Sequence, residues 1–111
     1  MLTESRRFSG SLDDLVRVRL AVDVPVLCAY KVGGCRQVFD MSVNYARERV
    51  QFGQVIGRFQ RVQDHIIHIV NYLDAARWTT YEALWKIDSG ADAAASVHVA
   101  KSVTSESYLR A

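Results

Sequence analysis

Residues 45–60 read Tyr45-Ala46-Arg47-Glu48-Arg49-Val50-Gln51-Phe52-Gly53-Gln54-Val55-Ile56-Gly57-Arg58-Phe59-Gln60. The segment joins two long runs of helix-compatible sequence. Phe52-Gly53 reads as the end of the first helix, with Gly53 suited to a left-handed cap because it carries no Cβ. A short connection follows, and the second helix begins near Gly57 or Phe59.

Upstream, Ser11 suits a helix N-cap, with Asp13 and Asp14 in the first turn where the helix dipole favours negative charge. A helical pattern then runs to about Val50. Cys28, Val32, Cys35, Phe39, Ser42 and Ala46 recur at the three-to-four spacing of one buried face. Pro25 either kinks this helix or marks its effective restart, because it offers no N–H to the preceding turn. Gly33-Gly34 each cost about 1 kcal/mol in a helix interior relative to alanine. Their presence suggests close approach by a neighbouring helix or by a ligand.

Downstream, Phe59, Val62, Ile66, Val70, Leu73, Ala76, Ala83 and Ile87 form the main stripe of a second helix that Ser89-Gly90 stops. Ile67, Trp78, Tyr81 and Trp85 add a second stripe. Apolar residues on more than one face imply a helix with neighbours on more than one side. A third helix starts near Ala91 or Asp92 and is still running at Ala111. The reading is all-α: an antiparallel bundle of long helices, an up-and-down four-helix bundle lacking its last member. Residues 1–10 form an N-terminal loop or tail, and 11–111 the bundle domain without its C-terminal end.

The 111 residues suffice for one domain, and half are hydrophobic. Lys and Arg number 14 against 12 acidic residues, a net charge of +2. That balance argues against a nucleic-acid partner. The longest uncharged apolar run, Val24 to Tyr30, is far short of the roughly 20 residues that span a membrane. The N-terminal residues lack the apolar stretch of a signal peptide. Cys28 and Cys35 lie two turns apart on one helix, about 10 Å, beyond the roughly 7 Å that a disulfide tolerates. They read as reduced core thiols, which fits a soluble cytoplasmic protein.

The sequence holds few of the groups that a self-sufficient active site would need. Asp64, His65 and His68 are too few for a metal centre and read as surface or interface groups. Glu48, between Arg47 and Arg49, reads as an ion-paired acid. Trp78, Tyr81 and Trp85 could stack on a planar cofactor, but such a stripe is ordinarily core or interface.

One ordered set of residues is more specific. Tyr45, Ala46, Arg49, Gln51, Phe52 and Gly53 match Y-A-x-x-R-x-Q-F-G. Ile56, Phe59, Gln60, Val62 and Gln63 match the start of the following helix in the same pattern. Leu73-Asp74-Ala75-Ala76-Arg77, Asp88-Ser89-Gly90, Ala100-Lys101, Pro25 and Gly33 continue it. Over residues 20–109 the chain resembles the helical C-terminal domain of the flavin-dependent acyl-CoA dehydrogenases.

The resemblance implies FAD as cofactor, an acyl-CoA thioester as substrate and α,β-desaturation as the reaction. Arg49, Gln51, Phe52 and Gln60 take the positions that contact FAD, typically the flavin of a neighbouring subunit. Their chemistry suits the task. Arginine offers a charged fork to pyrophosphate, phenylalanine an apolar face, and glutamine both a donor and an acceptor. The family's catalytic carboxylate usually lies in a segment beyond Ala111. A minority of members carry it on the first long helix, where this chain has Asp23, one methylene shorter than glutamate. The ordinary alternative for Asp23 is a solvated or salt-bridged acid. The next position often holds a substrate-contacting arginine and here is Val24, a departure that weakens the expectation of an acyl-CoA contact. The resemblance also implies missing N-terminal domains or a partner subunit, and assembly as a homo-oligomer. Competing readings are a non-catalytic helical assembly module, or the same domain of an acyl-CoA oxidase or flavin monooxygenase.

Overall fold

The computed structural model describes residues 10–111, so the expected tail lies, but for Gly10, outside the described residues. Three helices dominate: α1 (Leu12–Glu48), α2 (Gln60–Asp88) and α3 (Ala94–Arg110). Between α1 and α2 sit two short strands, β1 (Val50–Gln51) and β2 (Gln54–Val55), and a single 3-10 turn at Ile56–Arg58. All three helices pack on one another in an elongated bundle measuring 73 × 28 × 20 Å. The all-α reading holds.

α1 begins as its sequence dictates. Ser11 Oγ accepts from the Asp14 N–H at 3.3 Å, and the Asp14 carboxylate accepts from the Ser11 N–H at 3.1 Å. This reciprocal capping box satisfies two donors that the first turn leaves open. The helix then runs unbroken through Pro25, so the restart alternative is not realised. Pro25 is buried, and tertiary packing outweighs the one hydrogen bond its ring forfeits.

The core is built from small side chains. Cys28, Cys35 and Ala46 of α1, Leu73, Ala76, Thr80 and Ala83 of α2, and Ser96, Val97, Ala100, Thr104 and Ser107 of α3 are buried. Both cysteines are free thiols, and burial pushes the Cys35 thiol above its ordinary range. Thr80 and Thr104 satisfy their hydroxyls on their own helices, donating to the Ala76 and Ala100 carbonyls at 2.7 Å each. That self-pairing lets a hydroxyl occupy an otherwise apolar stripe. Gly34 faces the Tyr108 ring of α3, which a Cβ would meet at 2.7 Å, whereas Gly33 meets nothing within 4 Å.

The turn after α2 is a Schellman motif. The Gly90 N–H donates to Ile87 at 3.2 Å, the Ala91 N–H donates to Lys86 at 2.9 Å, and Gly90 adopts φ +72°. α3 starts at Ala94, later than its sequence suggests, because Asp92 turns back to accept from the Ala94 N–H at 3.1 Å. The second α2 stripe is not core: Trp78 and Trp85 are 63% and 65% exposed, and Ile67 and Tyr81 are exposed with them. Among the described residues no helix is long and apolar enough to cross a membrane.

Candidate functional site

The α1–α2 junction differs from the expected helix cap. α1 ends at Glu48, and Arg49 is already extended at φ −71°, ψ 122°. Val50 pairs with Val55 and Gln51 with Gln54, leaving Phe52 and Gly53 as a two-residue hairpin loop. Both loop residues have positive φ, 52° and 78°. This is the geometry of a type I′ turn, whose twist matches that of the two strands. Gly53 is therefore the second turn residue and not a helix cap. The Ile56 N–H donates to the Arg49 carbonyl at 2.8 Å and closes the hairpin base.

The hairpin is anchored on both sides. A Cβ on Gly57 would lie 2.9 Å from the Ala46 carbonyl oxygen, so glycine lets the 3-10 turn rest on α1. Gln63 reaches back from the first turn of α2 and donates to the Gly57 carbonyl at 2.9 Å. Phe52 stands edge-on to Phe59, centroids 6.1 Å apart. The anchoring role of Gly57 and Gln63 is not evident in the sequence. The available signal was a glycine and a glutamine six residues apart across a link too short to wander.

Arg49, Gln51, Phe52 and Gln60 are thus gathered at one end of α1 and all are exposed. Phe52 is 92% exposed, although its backbone adopts a conformation that bulky side chains rarely take. Among the described residues, the Arg49 guanidinium and the two glutamine amides have no side-chain hydrogen-bond partner in this chain. A charged fork, two amides and an aromatic face are therefore free to meet one extended ligand. That donor set fits a dinucleotide carrying pyrophosphate and aromatic rings.

Asp23 is elsewhere. It lies on α1, 25 residues before the helix ends at Glu48, so about 40 Å of helix separates it from the hairpin. Its carboxylate accepts from the Arg19 guanidinium at 2.8 Å, and the Asp23 side chain is 54% exposed. The same bond and charge raise the Arg19 pKa. Leu15, Val16, Arg19, Asp23 and Val24 line a shallow groove of about 440 Å³ there. Glu48 makes no ion pair among the described residues, because adjacent helix residues point apart. Nor does any trio of His, Cys, Asp or Glu among them stand close enough to hold a metal.

An antiparallel helical domain with an exposed polar and aromatic hairpin at one end of its longest helix is the class that this fold and site define. The chain belongs to the acyl-CoA dehydrogenase family: the family model for the acyl-CoA dehydrogenase C-terminal domain matches residues 14–111. It is 40% identical over 80 residues to L-prolyl-[peptidyl-carrier protein] dehydrogenase of Serratia sp. (strain ATCC 39006). That match covers 72% of this chain and 21% of the relative, so the chain spans only a small part of its length. Among solved structures, the FAD complex of PigA superposes with a TM-score of 0.87 at 32% identity, covering 93% of this chain and 27% of that one. PigA with FAD and proline gives 0.79 at 35% identity, covering 82% and 24%.

Proposed function

We propose that this chain serves as the C-terminal helical domain of a flavin-dependent dehydrogenase acting on a thioester-linked acyl group, and that its α1–α2 hairpin holds part of FAD. The carrying observation is the hairpin itself. It holds Phe52 outward in a strained turn and presents Arg49, Gln51 and Gln60 beside it with no side-chain hydrogen-bond partner among the described residues. Arg49 pairs with the pyrophosphate, Phe52 covers a ring face, and the two glutamines bond to polar edges. Strain of this kind persists where the surrounding structure enforces it, and it clusters at ligand sites. Bound FAD supplies the electron acceptor for α,β-desaturation.

The substrate reading shifts from CoA toward a carrier-bound aminoacyl thioester. The Serratia relative acts on a prolyl group held by a peptidyl carrier protein, and PigA has been solved with proline. Val24, in place of an arginine that contacts acyl-CoA, favours the same direction. Asp23 is the proton acceptor available on this chain, taking the proton from the carbon next to the thioester carbonyl. Its bond to Arg19 keeps a charged partner beside the carboxylate.

The roughly 40 Å between Asp23 and the hairpin means that the two ends of α1 serve different places in an assembly. Subunits that share flavins across an interface meet that requirement. The exposed Trp78, Tyr81 and Trp85 stripe favours a second reading, in which the domain acts mainly as an assembly surface. One preparation separates the two. The chain is purified alone and with the other domains of the enzyme, and the flavin absorption spectrum is recorded. Flavin retained by the assembly and lost on Arg49→Ala supports the first reading. A flavin-free oligomer under both conditions removes it.

A further inference from the structure

Away from the hairpin, the face shared by α1 and α3 carries an unusual charge arrangement. Lys31 of α1 donates to Ser105 Oγ of α3 at 2.8 Å. Lys101, one turn before Ser105, reaches the same oxygen at 3.5 Å. The Ser105 proton is spent on the Lys101 carbonyl at 2.7 Å, so its oxygen only accepts from the two ammonium groups. Sharing one oxygen holds the two charges within about 6 Å of each other, well inside the screening distance of physiological salt.

No carboxylate among the described residues lies within ion-pairing distance of either lysine. On these two helices Asp23 is paired with Arg19, Asp40 with Arg36 and Glu106 with Arg110. The third lysine of the chain, Lys86, shows the contrast. It also meets a serine, Ser96, at 2.6 Å, but it has Glu82 at 2.8 Å to balance its charge. Both Lys31 and Lys101 are partly buried. Burial, and then the neighbouring Lys101, pull Lys31 below the ordinary lysine range. Two like charges converging on a neutral oxygen are the arrangement that a bound anion stabilises, since it neutralises both and accepts their remaining protons.

We infer that Lys31, Lys101 and Ser105 form a binding site for one oxyanion, a carboxylate or a phosphate group, on the α1–α3 face. The two ammonium groups supply charge-assisted bonds. Ser105 spaces them so that one small anion bridges both. The site is independent of the hairpin and of any flavin role.

The three lysines make the test internal to one sample. The full chain is labelled with ¹³C at lysine Cε, and the three signals are followed during titration with sodium phosphate, and separately with sodium acetate. Sodium chloride at matched ionic strength is the blank. Lys31 and Lys101 are expected to move together along one saturating curve while Lys86 stays near the blank. Lys31→Met should weaken the Lys101 response about tenfold, equivalent to about 1.4 kcal/mol. Tighter phosphate marks a phosphoryl ligand, and tighter acetate marks a carboxylate. Equal small shifts of all three lysines, or a Lys101 curve unchanged in Lys31→Met, overturn the proposal. The wild-type comparison with Lys86 decides the matter even if the variant does not fold.

Discussion

Phe52 packs edge-on against Phe59 at 6.1 Å while its own backbone holds φ 52°. Two opposing energies meet in that one residue. A left-handed conformation costs a residue with a Cβ about 1–2 kcal/mol, and an edge-to-face ring pair returns about 0.5–1.5 kcal/mol. Phe52→Gly removes both and should leave the melting temperature within a few degrees of wild type. Phe52→Ala keeps the strain and loses the ring, so it should melt lower than Phe52→Gly. Both variants should weaken FAD retention in the complete assembly, measured by flavin absorbance after gel filtration. A glycine variant that retains FAD like wild type removes the ring from the cofactor contact.

The glycines separate into two classes with opposite expectations. Gly57→Ala drives a Cβ to 2.9 Å from a backbone oxygen of α1, which cannot swing aside. The expected loss is about 1–3 kcal/mol, typical of overpacking. Gly33→Ala meets open space in mid-helix, and should gain up to about 1 kcal/mol through helix propensity. Urea denaturation of the isolated chain measures both. Should Gly33→Ala also impair assembly, the open space beside Gly33 is where another chain packs.

Much of this fold is legible in the sequence because its signals are local. The Ser11–Asp14 capping box, the stop at Gly90 and the buried spacing of Cys28, Cys35 and Ala46 are set by residues within a turn or two of one another. The hairpin is not legible in the same way. Two strands of two residues are too short to show an alternating period, and Phe52 at positive φ runs against its propensity. Thr80 and Thr104 are not legible as core residues, because their polarity is cancelled by hydrogen bonds that the residue type does not reveal. The Trp78–Trp85 face shows that apolar periodicity identifies a surface seeking a partner without saying which partner is present. Of the site, the residue types at Arg49, Gln51, Phe52 and Gln60 were readable by resemblance. Their common exposure at one end of α1, about 40 Å from Asp23, required the three-dimensional arrangement.

The Glu82–Lys86–Ser96 cluster predicts a pH effect with a definite sign. The Lys86 hydrogen bond and charge, then the Ser96 bond, lower the Glu82 pKa below its ordinary value. The folded state therefore binds this proton less readily than the unfolded state. The stabilisation is present above the ordinary glutamate pKa and is lost as pH falls through the lower folded value. Glu82 is exposed and the pair is screened, so the effect is modest. Glu82→Gln should flatten the acid limb of a melting-temperature profile while leaving the neutral region nearly unchanged. A wild-type and a variant profile of identical slope below pH 5 would contradict the assignment.

Asp23 offers the sharpest division between a structural and a chemical role. If its work is structural, the partner that matters is Arg19, an exposed ion pair of low energetic value. Asp23→Asn and Arg19→Gln should then have the same small effect on stability and none on turnover. If Asp23 accepts the substrate α-proton, the two variants diverge. Asp23→Asn removes the base and should abolish turnover in the complete assembly. Arg19→Gln keeps the carboxylate and removes only its ion-pair partner, so turnover should survive. Asp23→Glu keeps a carboxylate on a side chain one methylene longer and should retain activity. Steady-state rates of the three variants measure the difference. Equal, unchanged rates in all three would return Asp23 to the surface of α1 and place the proton acceptor outside this chain.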